Sequence, residues 1–118
     1  QPKVESKIEI KKENLDAIFR GMFLVTTGPR GTLRSYFKDF PVNVAAKSGT
    51  AQQSSKRSEH TTFVAFAPLE DPQISVCVII PFGNGTTGPA PKVAKAAISE
   101  YLKLDYEPEL KSYDTLLH

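Results

Sequence analysis

Val44-Ala45-Ala46-Lys47-Ser48-Gly49-Thr50-Ala51-Gln52 is the stretch whose reading decides the fold. It reads as a strand that sets a cation, two hydroxyls and a bare backbone position along one short edge. Lys47 and Gly49 point one way on such a strand, and Ser48 and Thr50 the other, unless a bulge or twist intervenes. The Lys47 ammonium can steady an anion or hold a neighbouring hydroxyl in a proton network. Ser48 and Thr50 can hydrogen-bond a carboxylate. Gly49 removes a side chain where another backbone must approach closely. An extended substrate could add along this edge by main-chain hydrogen bonds, and a free N–H there could stabilise a developing oxyanion.

Working outward, the strand runs from about Val42 to Gln53. Two more strands are expected, His60 to Ala67 and Gln73 to Pro81, joined by the turn Pro68-Leu69-Glu70-Asp71-Pro72 into an antiparallel hairpin. Phe63, Ala65 and Ala67 alternate with Val64 and Phe66, so both faces of this hairpin are apolar and both need cover. Upstream, Leu15, Ile18, Phe19, Met22 and Val25 recur at helical intervals from about Lys12 to Thr26, and Gly28-Pro29 stops that helix. Gly31 to Phe40 is ambiguous between a loop and one short helical turn. Downstream of a loop at Gly83 to Gly88, a second helix is expected from Pro89 to Leu102. Its first turn holds a proline, and its apolar stripe is Ala90, Val93, Ala94, Ala97, Ile98, Tyr101 and Leu102. Val4 to Ile10 reads as an extended lead-in, and Asp105 to His118 as a polar tail. The fold class is α+β: helix, three antiparallel strands, helix. These helices cannot cover both sheet faces, so the missing cover is expected from a larger protein.

At 118 residues the chain fits one domain with a modest core. The net charge of +2 is spread without a dense basic block, which argues against a nucleic-acid partner. No apolar run approaches the roughly 20 residues needed to span a bilayer. The chain begins at Gln1 rather than Met, as a piece of a longer protein would. The single Cys77 excludes an internal disulfide. Within Val76-Cys77-Val78-Ile79-Ile80 it is expected to be a small buried hydrophobe, since an apolar run does not lower a thiol pKa.

The ordered segments resemble the penicillin-binding protein transpeptidase domain, with the class B, monofunctional, high-molecular-mass group closest. The residues that carry the likeness are Ala45 to Gln52, then His60 to Pro68 ending Phe63-Val64-Ala65-Phe66-Ala67-Pro68. Gly21-Met22-Phe23-Leu24-Val25, Gly31-Thr32-Leu33 and Pro89-Ala90-Pro91-Lys92-Val93 echo three further family segments. Ser48 stands for the commoner Thr, Ala46 for the usual Gly before Lys47, and Ala65 for a Gly in the second strand; none removes a chemical group. The resemblance covers residues 10 to 103 and implies that 1–103 are the C-terminal portion of such a domain, with 104–118 as a tail.

That family brings three motifs, S-x-x-K, S-x-N and K-S/T-G, into one cleft. The resemblance implies a D,D-transpeptidase that cross-links peptidoglycan stem peptides through a serine acyl-enzyme and is inhibited by β-lactams. Lys47 would support the proton network. Ser48 and Thr50 would bind the substrate or β-lactam carboxylate, beside Gly49. The Thr50 backbone N–H would form half of the oxyanion hole, and Gln52 would tune the rim. No cofactor is implied. The implied partners are stem peptides, β-lactams and the remainder of the domain. The parent would be anchored in the cell membrane, facing outward, within cell-wall synthesis complexes.

No S-x-N occurs in the chain. Its one S-x-x-K, Ser35-Tyr36-Phe37-Lys38, is the number expected by chance from nine Ser and eleven Lys. It also lies just before the Lys47 strand, where the family does not place its nucleophile. This chain is therefore expected to carry the substrate strand without the nucleophile and to be inactive alone. His60 is expected to pack or cap, Glu70-Asp71 to be solvated in a turn, and no residue cluster has metal spacing. The alternatives are a class D β-lactamase or β-lactam sensor, or a non-catalytic binding module of the same fold. The class D group follows its K-S/T-G with G-W-F/Y-V-G, whereas this chain has no Trp.

Overall fold

The computed structural model describes residues 2–52, 54–56, 58–83 and 88–106. After a lead-in without regular secondary structure, α1 spans Lys12–Thr27. It ends because Gly28 goes extended (φ −65°, ψ 153°) ahead of Pro29, while its N–H still donates to the Leu24 carbonyl at 2.9 Å. The turn that follows presses backbone on backbone. A Cβ at Gly31 would fall 2.5 Å from both the Leu24 and Val25 carbonyl oxygens, so only glycine fits. The ambiguous segment beyond forms one short helix, α2 (Arg34–Phe37), which buries Leu33 and Phe37.

The sheet has order β1-β2-β3, all antiparallel: β1 Ala45–Ala51, β2 His60–Ala67 and β3 Ile74–Ile80. β1 is shorter than the sequence indicates. The carbonyls just before it are taken by other partners: the Leu69 N–H donates to Asn43 and the Thr26 hydroxyl to Val44. At its far end Gln52 has left the ladder, and Gln53 lies outside the described residues. β3 loses one residue at each end, because the Gln73 N–H closes the turn onto the Ala67 carbonyl and Pro81 has no N–H to give. The Ala67–Pro68 bond in that turn is cis.

α3 (Ala90–Leu102) lies over one sheet face. Pro91 is tolerated in its first turn. The core joins Leu33, Phe37, Val44, Ala46, Phe63 and Ala65 to Ala90, Ala94 and Ile98. Small alanines let the helix sit close to the strands. Full burial of Phe63 alone is worth roughly 2–3 kcal/mol. The expected stripe on α3 is too wide. Val93 and Tyr101 are 39% and 60% exposed, and the buried line is Ala90, Pro91, Ala94, Ile98 and Ser99. The sheet covers a narrow arc of the helix, and apolar residues outside that arc stay wet.

α1 crosses the other sheet face only at its Ala45/Phe66 end, where the Phe19 and Phe66 rings meet at 4.9 Å. The rest of that face is open, with Val64 41% and Ile79 64% exposed. Cys77 shares it and is exposed, not buried as its apolar neighbours imply. Its strand parity puts it opposite Val64, on the face that α3 does not cover. Ile18 and Leu24 of α1 are likewise half exposed.

Candidate active-site strand

β1 is an edge strand, paired on one side by β2 and with no neighbour on the other among the described residues. The register sets Lys47 opposite Val64, Ser48 opposite Phe63, Gly49 opposite Thr62 and Thr50 opposite Thr61. Lys47 and Gly49 therefore share the open face with Val64, Thr62 and Cys77. Ser48 and Thr50 share the α3 face with Phe63 and Thr61. No bulge interrupts the ladder from Ala45 to Ala51, so the alternation expected from the sequence is kept.

Lys47 is exposed, and its ammonium donates to the carbonyl oxygen of Ser48. Ser48 is half-buried against the Phe63 side of the ladder, whereas Thr50 is exposed. Gln52 is exposed immediately beyond the strand. Lys47, Ser48, Gly49, Thr50 and Gln52 thus follow one short edge running out of the core. Its inner end is anchored by Val44 to Ala46, each at most 2% exposed.

Gly49 has a neighbour that sequence reasoning did not identify. A Cβ at position 49 would fall 2.5 Å from the Thr62 hydroxyl oxygen across the ladder. Some of the room that glycine makes is therefore used by β2 itself. Only the register reveals this, because nothing in the sequence says which residue of β2 lies opposite.

The entry to the strand is pinned from both sides. The Thr26 hydroxyl of α1 lies 2.6 Å from the Val44 carbonyl, both residues being buried. From the β2–β3 turn the Leu69 N–H reaches the Asn43 carbonyl at 2.9 Å. The Asn43 amide in turn donates to the Glu70 carboxylate, and that bond holds the exposed Glu70 carboxyl below its ordinary pKa. Glu70 and Asp71 are solvated, as expected of a turn.

The other sequence candidates lie elsewhere. Ser35 and Lys38 border an open hollow of about 380 Å³ with Gly31 and Arg34, and no β1 residue lines it. His60 opens β2 beside Ala51, and its Nδ1 accepts the Phe82 N–H at 3.3 Å while the two rings touch at 4.8 Å. It packs and caps there. Among the described residues no three His, Cys, Asp or Glu side chains gather as a metal site would require.

Comparison with known proteins bears on this strand. A family model described as the penicillin binding protein transpeptidase domain matches residues 1–100. Penicillin-binding protein 2B of Streptococcus pneumoniae is 32% identical over 114 residues, covering 92% of this chain and 16% of that protein. The peptidoglycan D,D-transpeptidase MrdA of Escherichia coli is 34% identical over 98 residues, covering 71% of this chain and 15% of that protein. A crystal structure of Pseudomonas aeruginosa PBP2 in complex with WCK 5153 superimposes with a TM-score of 0.76 at 35% identity. It takes in 97% of this chain and 25% of that one. The chain thus spans about a sixth of the curated relatives' length.

Proposed function

The chain belongs to the penicillin-binding protein transpeptidase family, and from that membership we propose that it is the substrate-strand portion of a peptidoglycan D,D-transpeptidase. In this reading the whole protein cross-links stem peptides through a serine acyl-enzyme, and β-lactams occupy the same cleft. The family match favours this over a class D β-lactamase.

The observation that carries the proposal is the edge position of Lys47-Ser48-Gly49-Thr50 in an unbroken ladder. In an antiparallel strand the N–H and C=O of one residue point to the same side, and residues two apart share that side. Ser48 and Thr50 therefore present their backbone groups in one direction. The Lys47 ammonium reaches the Ser48 carbonyl, which supports the outer, unpaired side as that direction. The Thr50 N–H then lies on the edge where an acyl oxygen could accept from it, the role of one oxyanion-hole donor. An extended donor peptide would lie along this edge by main-chain hydrogen bonds. The Ser48 and Thr50 hydroxyls would take its terminal carboxylate, Gln52 would border the rim, and Lys47 would support proton transfer at the attacking serine.

That serine is supplied by the remainder of the domain, so residues 1–118 alone are inactive. The open sheet face around Val64, Cys77 and Ile79 is where that remainder packs. The working protein acts on the outer face of the cell membrane within cell-wall synthesis complexes. No helix among the described residues is long and apolar enough to cross a membrane, so the proposed anchor lies elsewhere in the longer protein.

Labelled penicillin tests the reading. The full-length protein should form a covalent adduct at a serine outside residues 1–118, and Lys47→Ala should slow its formation by about 10²-fold or more, the scale of lost acid–base catalysis. An adduct on Ser35 or Ser48 of the isolated chain, or undiminished labelling of Lys47→Ala, would overturn it.

A further inference from the structure

A continuous run of rings and one ammonium links the segment after α3 to the candidate strand. α3 ends in a left-handed residue, Lys103 (φ 53°), whose N–H bonds back to the helix, and the Leu104 N–H reaches the Ser99 carbonyl at 2.9 Å. This closure turns the chain back over its own domain. Leu104 packs against the core, and two residues later the Tyr106 ring meets Phe40 edge-on at 5.1 Å.

Lys95 of α3 points into this group. Its ammonium lies 4.9 Å from the ring centre of Tyr106, 5.8 Å from Phe40 and 5.9 Å from Phe37, all within cation–π range. It makes no ion pair among the described residues. Phe40 in turn meets Phe37 at 5.7 Å, and Phe37 stacks on Phe63 at 6.5 Å with the ring planes 4° apart. Phe63 is the residue directly opposite Ser48.

Phe37 and Phe63 are 7% and 1% exposed. Phe40 and Tyr106 are half-buried, but the two inner rings are close-packed, so a displacement that reaches Phe37 is passed on to Phe63. We infer that residues 103–106 form a strap whose Tyr106, acting through Lys95, Phe40, Phe37 and Phe63, positions Ser48 of the substrate strand. Tyr106 is a positioning residue and touches no substrate. The inference rests on β1 being the substrate strand.

The test uses the full-length protein with Tyr106→Ala, Tyr106→Phe, Lys95→Met and, as a control on the opposite sheet face, Phe19→Leu. Three quantities are read: thermal stability, hydrogen exchange of the β1 amides, and the second-order rate of acylation by labelled penicillin. Tyr106→Ala should speed exchange at the inward-facing amides of Lys47 and Gly49, which the ladder protects, and slow acylation by about three- to tenfold, part of what one aromatic pair and one cation–π contact contribute. Tyr106→Phe keeps the ring and should restore both, with Lys95→Met falling between. Phe19→Leu should lower the melting temperature without slowing acylation. The strap is refuted if Tyr106→Ala lowers the melting temperature but leaves β1 exchange and acylation unchanged, or if Tyr106→Phe is as harmful as Ala. Should even the wild-type protein resist acylation, the transpeptidase reading fails, while the exchange measurements still decide the strap.

Discussion

Replacing Gly49 with Ala separates two reasons for a glycine on this strand. The new Cβ would lie 2.5 Å from the Thr62 hydroxyl oxygen, well inside the roughly 3.5 Å at which non-bonded heavy atoms rest. Close to 1 Å must be found. Thr62 is β-branched: one other staggered rotamer brings its methyl to the same place, the remaining one leaves only a hydrogen there but moves both methyl and hydroxyl to new sites, and a rotation of about 30° off-rotamer costs roughly 0.5–1.5 kcal/mol. Parting the ladder instead brings the usual overpacking cost of about 1–3 kcal/mol. Against this, Gly49 has no left-handed φ, so alanine is allowed there and restricts the unfolded chain, returning about 0.4–1 kcal/mol. The net expectation for Gly49→Ala is a loss of about 1–2 kcal/mol.

Thr62→Ala removes the obstructing oxygen, and the next contact is the position-62 Cβ at an ordinary 3.9 Å. In that background Gly49→Ala should be neutral or stabilising by up to about 1 kcal/mol, so the coupling between the two sites is about 1–3 kcal/mol. Urea unfolding of the four proteins measures it. A cost for Gly49→Ala that agrees within about 0.5 kcal/mol in both backgrounds would refute the steric argument. Acylation by labelled penicillin adds a second answer. If Gly49 mainly makes room for Thr62, the double variant recovers labelling. If it mainly makes room for a substrate backbone, labelling stays low although stability returns.

Three other outcomes follow from the geometry. Thr26→Val should lose about 1–3 kcal/mol in urea unfolding, because the buried Val44 carbonyl is left without its donor, while Thr26→Ser keeps most of that. Lys103→Gly should gain about 1 kcal/mol in the same assay, since glycine adopts the φ of 53° without the left-handed penalty; a loss would mean that the Lys103–Glu100 ion pair outweighs the strain. The lowered Glu70 pKa gives stability that is present above the unfolded carboxylate value and is lost as pH falls through the folded one. The melting temperature of Asn43→Ala should therefore fall less steeply than wild type between about pH 5 and pH 3, and parallel curves would deny the Asn43–Glu70 bond that role.

Much of this arrangement is legible in the sequence because period and punctuation are local. Gly28-Pro29 ends α1 where it stands, and β2 has the bounds that its alternation gives. The edge residues Lys47 to Thr50 keep the predicted alternation because no bulge intervenes. What was not legible depends on which element covers which face. Cys77 sits in an apolar run yet is exposed, because β3 turns it to the face that α1 only partly crosses. Val93 and Tyr101 look like core and are not, since the sheet meets α3 along Ala90, Ala94 and Ile98. Thr62 became relevant to Gly49 only once register was known, and Tyr106 lay in what reads as a polar tail.

The two sheet faces explain why a strand so short can be both firm and accessible. On the α3 side, Ser48 and Thr50 extend a ladder column whose inner members, Ala46, Phe63 and Ala65, are at most 3% exposed, so the backbone that presents them is set by a close-packed core. On the other side, Lys47 stands beside Val64 and Cys77, with a cleft of about 310 Å³ running from Val64 past Cys77 to Met22 of α1. An apolar face left this open is where a further layer is needed. In the proposed function, positions that would bind through backbone geometry gain from the rigid side, whereas Lys47 would take its electrostatic surroundings from whatever completes the open one. A variant on the open face, such as Ile79→Lys, should therefore weaken assembly of the full domain, while Phe63→Leu should disturb Ser48 directly. Melting temperature and acylation rate, measured together, distinguish the two.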